Sequence, residues 1–443
     1  MNKNGVKRAS NLVNAFLYST ESITSILFSV FSIALIARHF GPEVMARFSV
    51  AQSVSTIFIV FATLGFDQFI IRELARNKRD AEYLSSILFG MAMGWLLYVA
   101  LVVVYYFVIG EFSRDLFLIV SIVVSTLLLK VIFIKSYLQA QNKPKPIAIA
   151  ALVSRFIAII YLLIGTYINF SFEVMMLYMP LQAFVFILLM TISQPDFFLL
   201  IKPRHFNSRR LFSSMREAAP IFLSTMLYLL YSQSHILIMS NLLEPATVGI
   251  YSAAIQLIPQ AAFIGFILVA TFYTELDRKL LTDKTDFRAY VRSLLSMQFS
   301  VGIIMAIGVF LTADLIINLL YGARYVEGAR VLEIACWAWI FILPAALYSR
   351  ILIMLGYARY ELIKMLIVAP LIILLNYWVI SRVGMLGSAV VFVFSYFLVD
   401  FLIYFLFKDT RYLGVIGLKA LADIFTKPVQ TFRTSIRLMK TRN

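Results

Sequence analysis

Between Leu127 and Ile160 the chain reads LLLKVIFIKSYLQAQNKPKPIAIAALVSRFIAII, two oily stretches around a short polar turn, with Lys130, Lys135 and Arg155 set inside the oil. Cations in such a place serve one kind of chemistry, the attraction of an anion. If each stretch is a helix, Lys130 stands nine residues from Gln139, roughly 13 Å along the axis, and Arg155 stands eight residues into the next helix, about 12 Å. The hydrocarbon core of a bilayer is about 30 Å thick, so antiparallel neighbours bring both cations to a common level near its midplane. A charge at that depth is expensive unless it faces a wet cavity or a partner. Lys135 is four residues from the same helix end, close enough to snorkel to the interface. Arg350 and Lys364 lie near that side of the membrane too, and suit a topological or a cargo-binding role equally.

The acidic set within the apolar stretches is smaller. Glu21 is about ten residues into the first stretch, Asp67 near the inner end of the second and Asp400 in the last. Each fits an ion pair with one of the cations or a coupling role. His235, eight residues before Leu243, is also deep; it fits a hydrogen bond between helices or a proton carrier. Ser22, Ser25, Ser29 and Ser32 follow one another at spacings of three, four and three, on one helix face with Glu21 and Ser10 nearby. That stripe suits close helix packing or a polar cavity wall.

The elements that must position these residues follow from composition. The 443 residues are 61% hydrophobic and 14% charged with a mean hydropathy of +0.89, against about 25% charged in a soluble domain. The fold class is therefore an all-α integral membrane protein. Apolar runs of spanning length predict about 12 transmembrane helices: Asn11–Ala37, Arg47–Ile71, Leu84–Ile109, Leu116–Gln139, Ile147–Ile168, Phe172–Ile192, Ala219–Leu243, Tyr251–Thr274, Tyr290–Thr312, Ala329–Met354, Glu361–Ile380 and Leu386–Phe407. The first run is too long for the apolar region of a signal peptide and is expected to stay as a span. One cysteine, Cys336, leaves no disulfide framework and no cysteine-based metal cluster.

With the N-terminus inside, 28 of the 39 Lys and Arg fall on the cytoplasmic side, six outside and five within spans. This asymmetry predicts both termini in the cytoplasm. It also accounts for the net charge of +16 without any nucleic-acid partner. The longest interior connection, Ser193 to Ala218, is basic and divides the helices six and six. The expected domains are a cytoplasmic N-terminus (1–10), an N-terminal six-helix bundle (11–192), a basic cytoplasmic linker (193–218), a C-terminal six-helix bundle (219–407) and a basic amphipathic cytoplasmic tail (408–443). GPEVMARFSVA after the first helix of one half aligns with EPATVGIYSAA after the first helix of the other, Pro42 on Pro245. Six spans return the chain to its starting side, so such halves are parallel repeats around a central cavity.

RHFGPEVMARFSVAQSV and GFDQFIIRELARN resemble the opening of the Wzx-type polysaccharide flippases of the multidrug/oligosaccharidyl-lipid/polysaccharide exporter superfamily. APIFLSTMLYLLYSQSHILIMSNLLEPATVGIYSAAIQL, LIINLLYGARYVEGARVLEIACWAWIFILPAALYSRILIMLGYARY and VGMLGSAVV resemble their second half. The resemblance runs over nearly all of Asn11 to Phe407. It implies a bacterial inner-membrane protein that moves a polyprenyl-diphosphate-linked oligosaccharide from the inner to the outer leaflet. The implied partners are an undecaprenyl-diphosphate-linked glycan, the bilayer and other membrane proteins of polysaccharide assembly. No cofactor is implied, and H⁺ or Na⁺ is the candidate coupling ion. A cargo of that kind calls for a polar, cationic cavity with a lateral opening for its lipid tail; Lys130, Arg155, Arg350 and Lys364 are its candidate cations, and Glu21, Asp67, His235, Asp400, Ser25 and Ser29 its candidate coupling or polar groups. The sequence departs from the family in one place. Members often carry an acidic residue midway along the seventh helix, where this chain has His235.

Two other classes were open on the sequence. A multidrug antiporter of the related MATE type would share the twelve helices, but organic cations call for acidic walls, and the deep charges here are more often basic. A membrane enzyme of polysaccharide assembly usually builds its site on a large exterior loop; no exterior connection here exceeds about twenty residues, little more than linker length. No G-x-x-x-x-G-K-[ST] loop is present for nucleotide hydrolysis.

Overall fold

The computed structural model of the protein describes the backbone over residues 3–76, 80–282, 284–357 and 359–428, and side chains from residue 20 onward apart from 67, 68, 72, 75, 76, 274 and 284. All regular structure among the described residues is helical. Twelve helical segments are long and apolar enough to cross a membrane: span 1 (Thr20–Phe40), span 2 (Pro42–Thr63), span 3 (Ala81–Val108), span 4 (Phe112–Ala140), span 5 (Pro144–Ile168), span 6 (Phe172–Ser193), span 7 (Ser208–Leu242), span 8 (Pro245–Tyr273), span 9 (Thr285–Tyr321), span 10 (Gly328–Met354), span 11 (Arg359–Val383) and span 12 (Met385–Phe405). The protein is thus a multi-pass membrane protein with the number of spans its hydropathy predicts. Pro42 and Pro245 each sit in the first turn of the second span of their set of six, where a missing N–H costs nothing. Side chains such as Phe107, Tyr167 and Leu311, at least three-quarters exposed, provide the apolar surface that lipid requires.

Two boundaries differ from the sequence expectation for identifiable reasons. Span 2 stops at Thr63 rather than Ile71, because Leu64 and Gly65 take left-handed conformations (φ 52° and 73°). A separate short helix, Phe66–Arg76, follows. Span 9 has 37 residues, about 55 Å of helix at 1.5 Å per residue. The excess stands outside the hydrocarbon and carries Asp286, Arg288 and Arg292, which had removed those turns from the apolar count.

Contacts divide the chain into two compact units, Met1–Leu237 and Ile238–Asn443, with the boundary inside the helix of span 7. In the first unit span 2 packs on span 3, and span 5 on spans 1 and 6. A side chain on Gly94 would overlap the carbonyl of Phe61, so the absence of a Cβ sets the close approach of spans 2 and 3. Most of span 7 belongs to this unit: Arg210 pairs with Asp80 near its start, and Gln233 accepts a hydrogen bond from Ser53 at 3.0 Å. In the second unit span 9 packs along span 10, and span 11 along span 12. A last helix, Arg411–Thr426, packs on span 9; its buried face is Leu413, Gly414, Ile416, Gly417 and Ala420.

The fourth span of each set of six is interrupted. Span 4 passes through a π-helical turn at Leu127–Val131, and span 10 through a 3-10 turn at Cys336–Ala338. Backbone groups freed at such breaks must be satisfied from neighbouring helices. Trp95 of span 3 donates to the carbonyl of Val123 just before the π turn (3.2 Å), and Trp339 donates to the carbonyl of Ile258 at the break in span 8 (2.8 Å).

Candidate functional site

Span 5 carries Arg155 eleven residues from its start, about 16 Å along the axis and near its middle. Packing of span 5 on span 1 brings the guanidinium to Glu21 and Thr24. One Nη donates to the carbonyl of Glu21 (2.9 Å) and to Thr24 Oγ1 (2.7 Å), and the other reaches Glu21 Oε1 (3.3 Å). The same carboxylate oxygen receives Lys135 Nζ at 3.2 Å. Two cations therefore share one carboxylate, leaving an excess positive charge in the protein. A side chain with three hydrogen bonds is also held in one orientation, which is how a buried charge is tolerated.

Arg155 forms part of the wall of a cavity of about 200 Å³ inside the first unit. Ser25, Ser29 and Ser32 come to it from span 1, Gln52 from span 2 and Gln182 from span 6. The buried hydroxyl of Ser32 has no hydrogen-bond partner among the described residues. Phe28, Phe48 and Tyr178 supply apolar surface, and no carboxylate lines the cavity. The volume equals that of roughly six or seven liquid waters. Such a space accepts a phosphate or part of a sugar ring, with neutral donors and acceptors for hydroxyls and one guanidinium for an anion.

Lys130 is not among the residues lining this cavity, although its neighbour Leu129 is. It lies on the π turn, whose extra residue advances the helix face, and its side chain is exposed. The structure therefore brings Arg155 together with Glu21, Ser25 and Ser29, and leaves Lys130 apart from them.

The remaining candidates lie on span 7, in the second unit and on the short helix after span 2. Lys364, 5% exposed, bonds Glu361 at 2.7 Å and lies 3.8 Å from Asp400, with the ring of Tyr404 at 5.8 Å. Arg350 lies over the ring of Tyr273, 4.1 Å from its centroid, an arrangement that holds a cation without a carboxylate. His235 is 6% exposed and lies seven residues before the end of span 7. Asp67 lies on the short helix Phe66–Arg76, and its side chain falls outside the described residues. No group of three or more His, Cys, Asp or Glu side chains able to hold a metal occurs among the described residues.

Sequence reasoning missed several members of these clusters. Lys135 reads as a snorkelling lysine, yet it completes the Glu21 cluster. Gln52 and Gln182 carried a signal that could have been used: each is a lone amide in an apolar helix. Thr24 and Glu361 carried none beyond their helical spacing of three from Glu21 and Lys364.

Twelve spans, interrupted helices and ion pairs within each unit define an all-helical multi-pass membrane fold. The fold is shared with the lipid II flippase MurJ in its inward closed conformation, at a TM-score of 0.68 and 17% identity over 96% of each chain. An inward-facing MATE family multidrug resistance transporter of the MOP superfamily matches at 0.65 and 15% identity, over 92% of this chain and 99% of that one. The Vibrio cholerae MATE transporter VcmN, as a point mutant, matches at 0.57 and 13% identity, over 93% of this chain and all of that one. No curated protein sequence matches the chain. A family model described as polysaccharide biosynthesis protein matches residues 12–272, more than half of the chain, and the protein belongs to that Wzx-like family.

Proposed function

We infer that the protein is a flippase, carrying a polyprenyl-diphosphate-linked oligosaccharide, an O-antigen or related surface-polysaccharide repeat unit, from the cytoplasmic to the periplasmic leaflet of the bacterial inner membrane. The observation that carries this reading is the cavity beside Arg155: hydroxyl and amide groups suited to a glycan, a fixed guanidinium suited to a diphosphate, and no acidic wall. The family match supports a role in polysaccharide biosynthesis, and the exporter fold supports transport rather than catalysis. In this proposal both termini are cytoplasmic, and the glycan crosses by alternating access while the lipid tail stays in the bilayer. Arg155 attracts the diphosphate, Ser25 and Ser29 contact the glycan, and Lys130 meets the anion on its way to the cavity. Arg350, held over an aromatic ring rather than on a carboxylate, and Lys364, already flanked by Glu361 and Asp400, are the further candidate cations. Glu21 and Asp400 hold their cations in place, leaving Asp67 and His235 as candidates for coupling to H⁺ or Na⁺.

A MATE-like cation antiporter is the competing reading, since two of the structures sharing the fold are MATE transporters. A cavity whose one charged lining residue is an arginine repels organic cations, and this favours the flippase. Deletion of the gene in its host, with complementation by Arg155→Lys and Arg155→Glu, tests the proposal. Surface polysaccharide is expected to be lost on deletion, partly restored by the lysine variant and not restored by the glutamate variant. Normal polysaccharide in the deletion strain would exclude the reading.

A further inference from the structure

The second unit contains a larger and more strongly charged pocket, lined by none of the residues assigned to cargo above. Its volume is about 620 Å³, and its wall includes five cations: Arg288 and Arg292 from the start of span 9, Lys408 from the turn after span 12, and Arg411 and Lys419 from the last helix. One of the five is neutralised, Arg292 binding Asp423 through two contacts of 2.6 Å. Arg288 lies over the ring of Tyr412, 5.2 Å from its centroid, and Arg411 donates from its Nε to the carbonyl of Phe405 at 3.3 Å. Lys408 and Lys419 are exposed and make no hydrogen bond or ion pair among the described residues. Burial raises the phenol of Tyr412 to about 12, so it remains a neutral hydroxyl at physiological pH. Cations gathered in one concavity repel one another, and an anion relieves that repulsion.

The floor of the pocket tells which anion. Ala289, Val415 and Ile416 make part of it apolar. On the last helix the exposed face carries Leu418 and Phe425, 52% and 70% exposed, beside these lysines and arginines. A helix that docks through glycines on one side and shows leucine, phenylalanine and cations on the other lies at a bilayer surface. We propose that this pocket binds the phosphate of an anionic lipid head group, with the guanidinium and ammonium groups on the phosphate oxygens and Val415 and Ile416 against the first carbons of the lipid. Two lipids carry that chemistry, the bulk anionic phospholipid and a polyprenyl diphosphate. The site does not depend on the flippase reading, because a phospholipid in the pocket requires no cargo.

Native mass spectrometry of the purified full chain reads the binding directly, with phosphatidylglycerol, phosphatidylcholine and undecaprenyl diphosphate as probes. Phosphatidylglycerol is expected to be retained saturably in preference to phosphatidylcholine. Lys408→Gln with Lys419→Gln should weaken retention roughly 25-fold, at about fivefold for each cation removed near a membrane surface. Lys202→Gln with Arg209→Gln, an equal charge change at exposed positions flanking the start of span 7, should leave it unchanged. Displacement of phosphatidylglycerol by undecaprenyl diphosphate at equal concentration would assign the site to the polyprenyl lipid, and its persistence would assign it to phospholipid. Equal loss in both variant pairs, or no discrimination against phosphatidylcholine, would overturn the proposal.

Discussion

A guanidinium in the middle of a membrane helix survives only if its hydrogen-bond donors are occupied and its charge is balanced or used. Arg155 meets the first condition through Glu21 and Thr24, and Lys135 on the same carboxylate keeps the charge from being cancelled. This makes a prediction that separates structure from function. Arg155→Gln alone should destabilise the protein by about 3 kcal/mol, the low end for one lost partner of a buried pair, because Lys135 still serves Glu21. Glu21→Gln combined with Arg155→Gln should recover expression and thermal stability without recovering export, since the cavity has then lost its anion-attracting group. Thermal unfolding in detergent beside a surface-polysaccharide assay reads both; recovery of export by the double variant would reduce Arg155 to a structural residue. His235 makes a second case. A neutral amide can replace an imidazole that only hydrogen-bonds, so His235→Gln should keep most export if packing is its task. Complete loss at normal expression, with a parent activity that depends on pH, would instead assign it the proton role.

Helix contacts at this scale are set by small residues and by where backbone groups are released. Gly94 lies against the carbonyl of Phe61, whereas Gly308 in span 9 has open space around it. Gly94→Val should therefore lower stability by about 1–3 kcal/mol through overpacking. Gly308→Ala should raise it by up to about 1 kcal/mol through helix propensity. A thermal-shift comparison of the two variants checks the pair, and equal effects would contradict the packing described. The contrast also marks what the sequence could disclose. All twelve spans were legible because about 20 apolar residues in a row have no other stable use in a membrane protein. The interruptions of spans 4 and 10 were not, since Leu127–Val131 and Cys336–Ala338 hold neither proline nor glycine. At span 4 tertiary packing contributes, with Trp95 of span 3 bonding the carbonyl of Val123 beside backbone that local propensity would have left α-helical. For the same reason the charges were legible and most of their partners were not. Glu21 and Asp400 stood out as carboxylates in oil, but which cation each would meet depends on helix rotation, and the π turn changes that rotation at Lys130.

At the scale of the whole molecule, a skew of 28 to six in Lys and Arg fixes an expected orientation. Reporter fusions after Ile109, Ile168 and Ile380 should read periplasmic, and fusions after Lys145 and Arg210 cytoplasmic; reversal in either half would remove the parallel-repeat arrangement. Orientation matters because transport of a lipid-linked glycan has a direction: the cargo is expected to be taken from the cytoplasmic leaflet, under a positively charged surface, and released outside. The excess positive charge around Glu21 and the absence of a carboxylate from the cavity wall suit that cargo and oppose an organic cation. The most direct measurement is therefore the leaflet distribution of the host's lipid-linked oligosaccharide in a strain deleted for this gene, read by whether a membrane-impermeant glycosidase or lectin reaches it in spheroplasts. The account predicts that the lipid-linked oligosaccharide accumulates protected on the cytoplasmic side, and that the wild-type gene but not Arg155→Glu makes it accessible. Full accessibility in the deletion strain, with no change when the gene is restored, would contradict it.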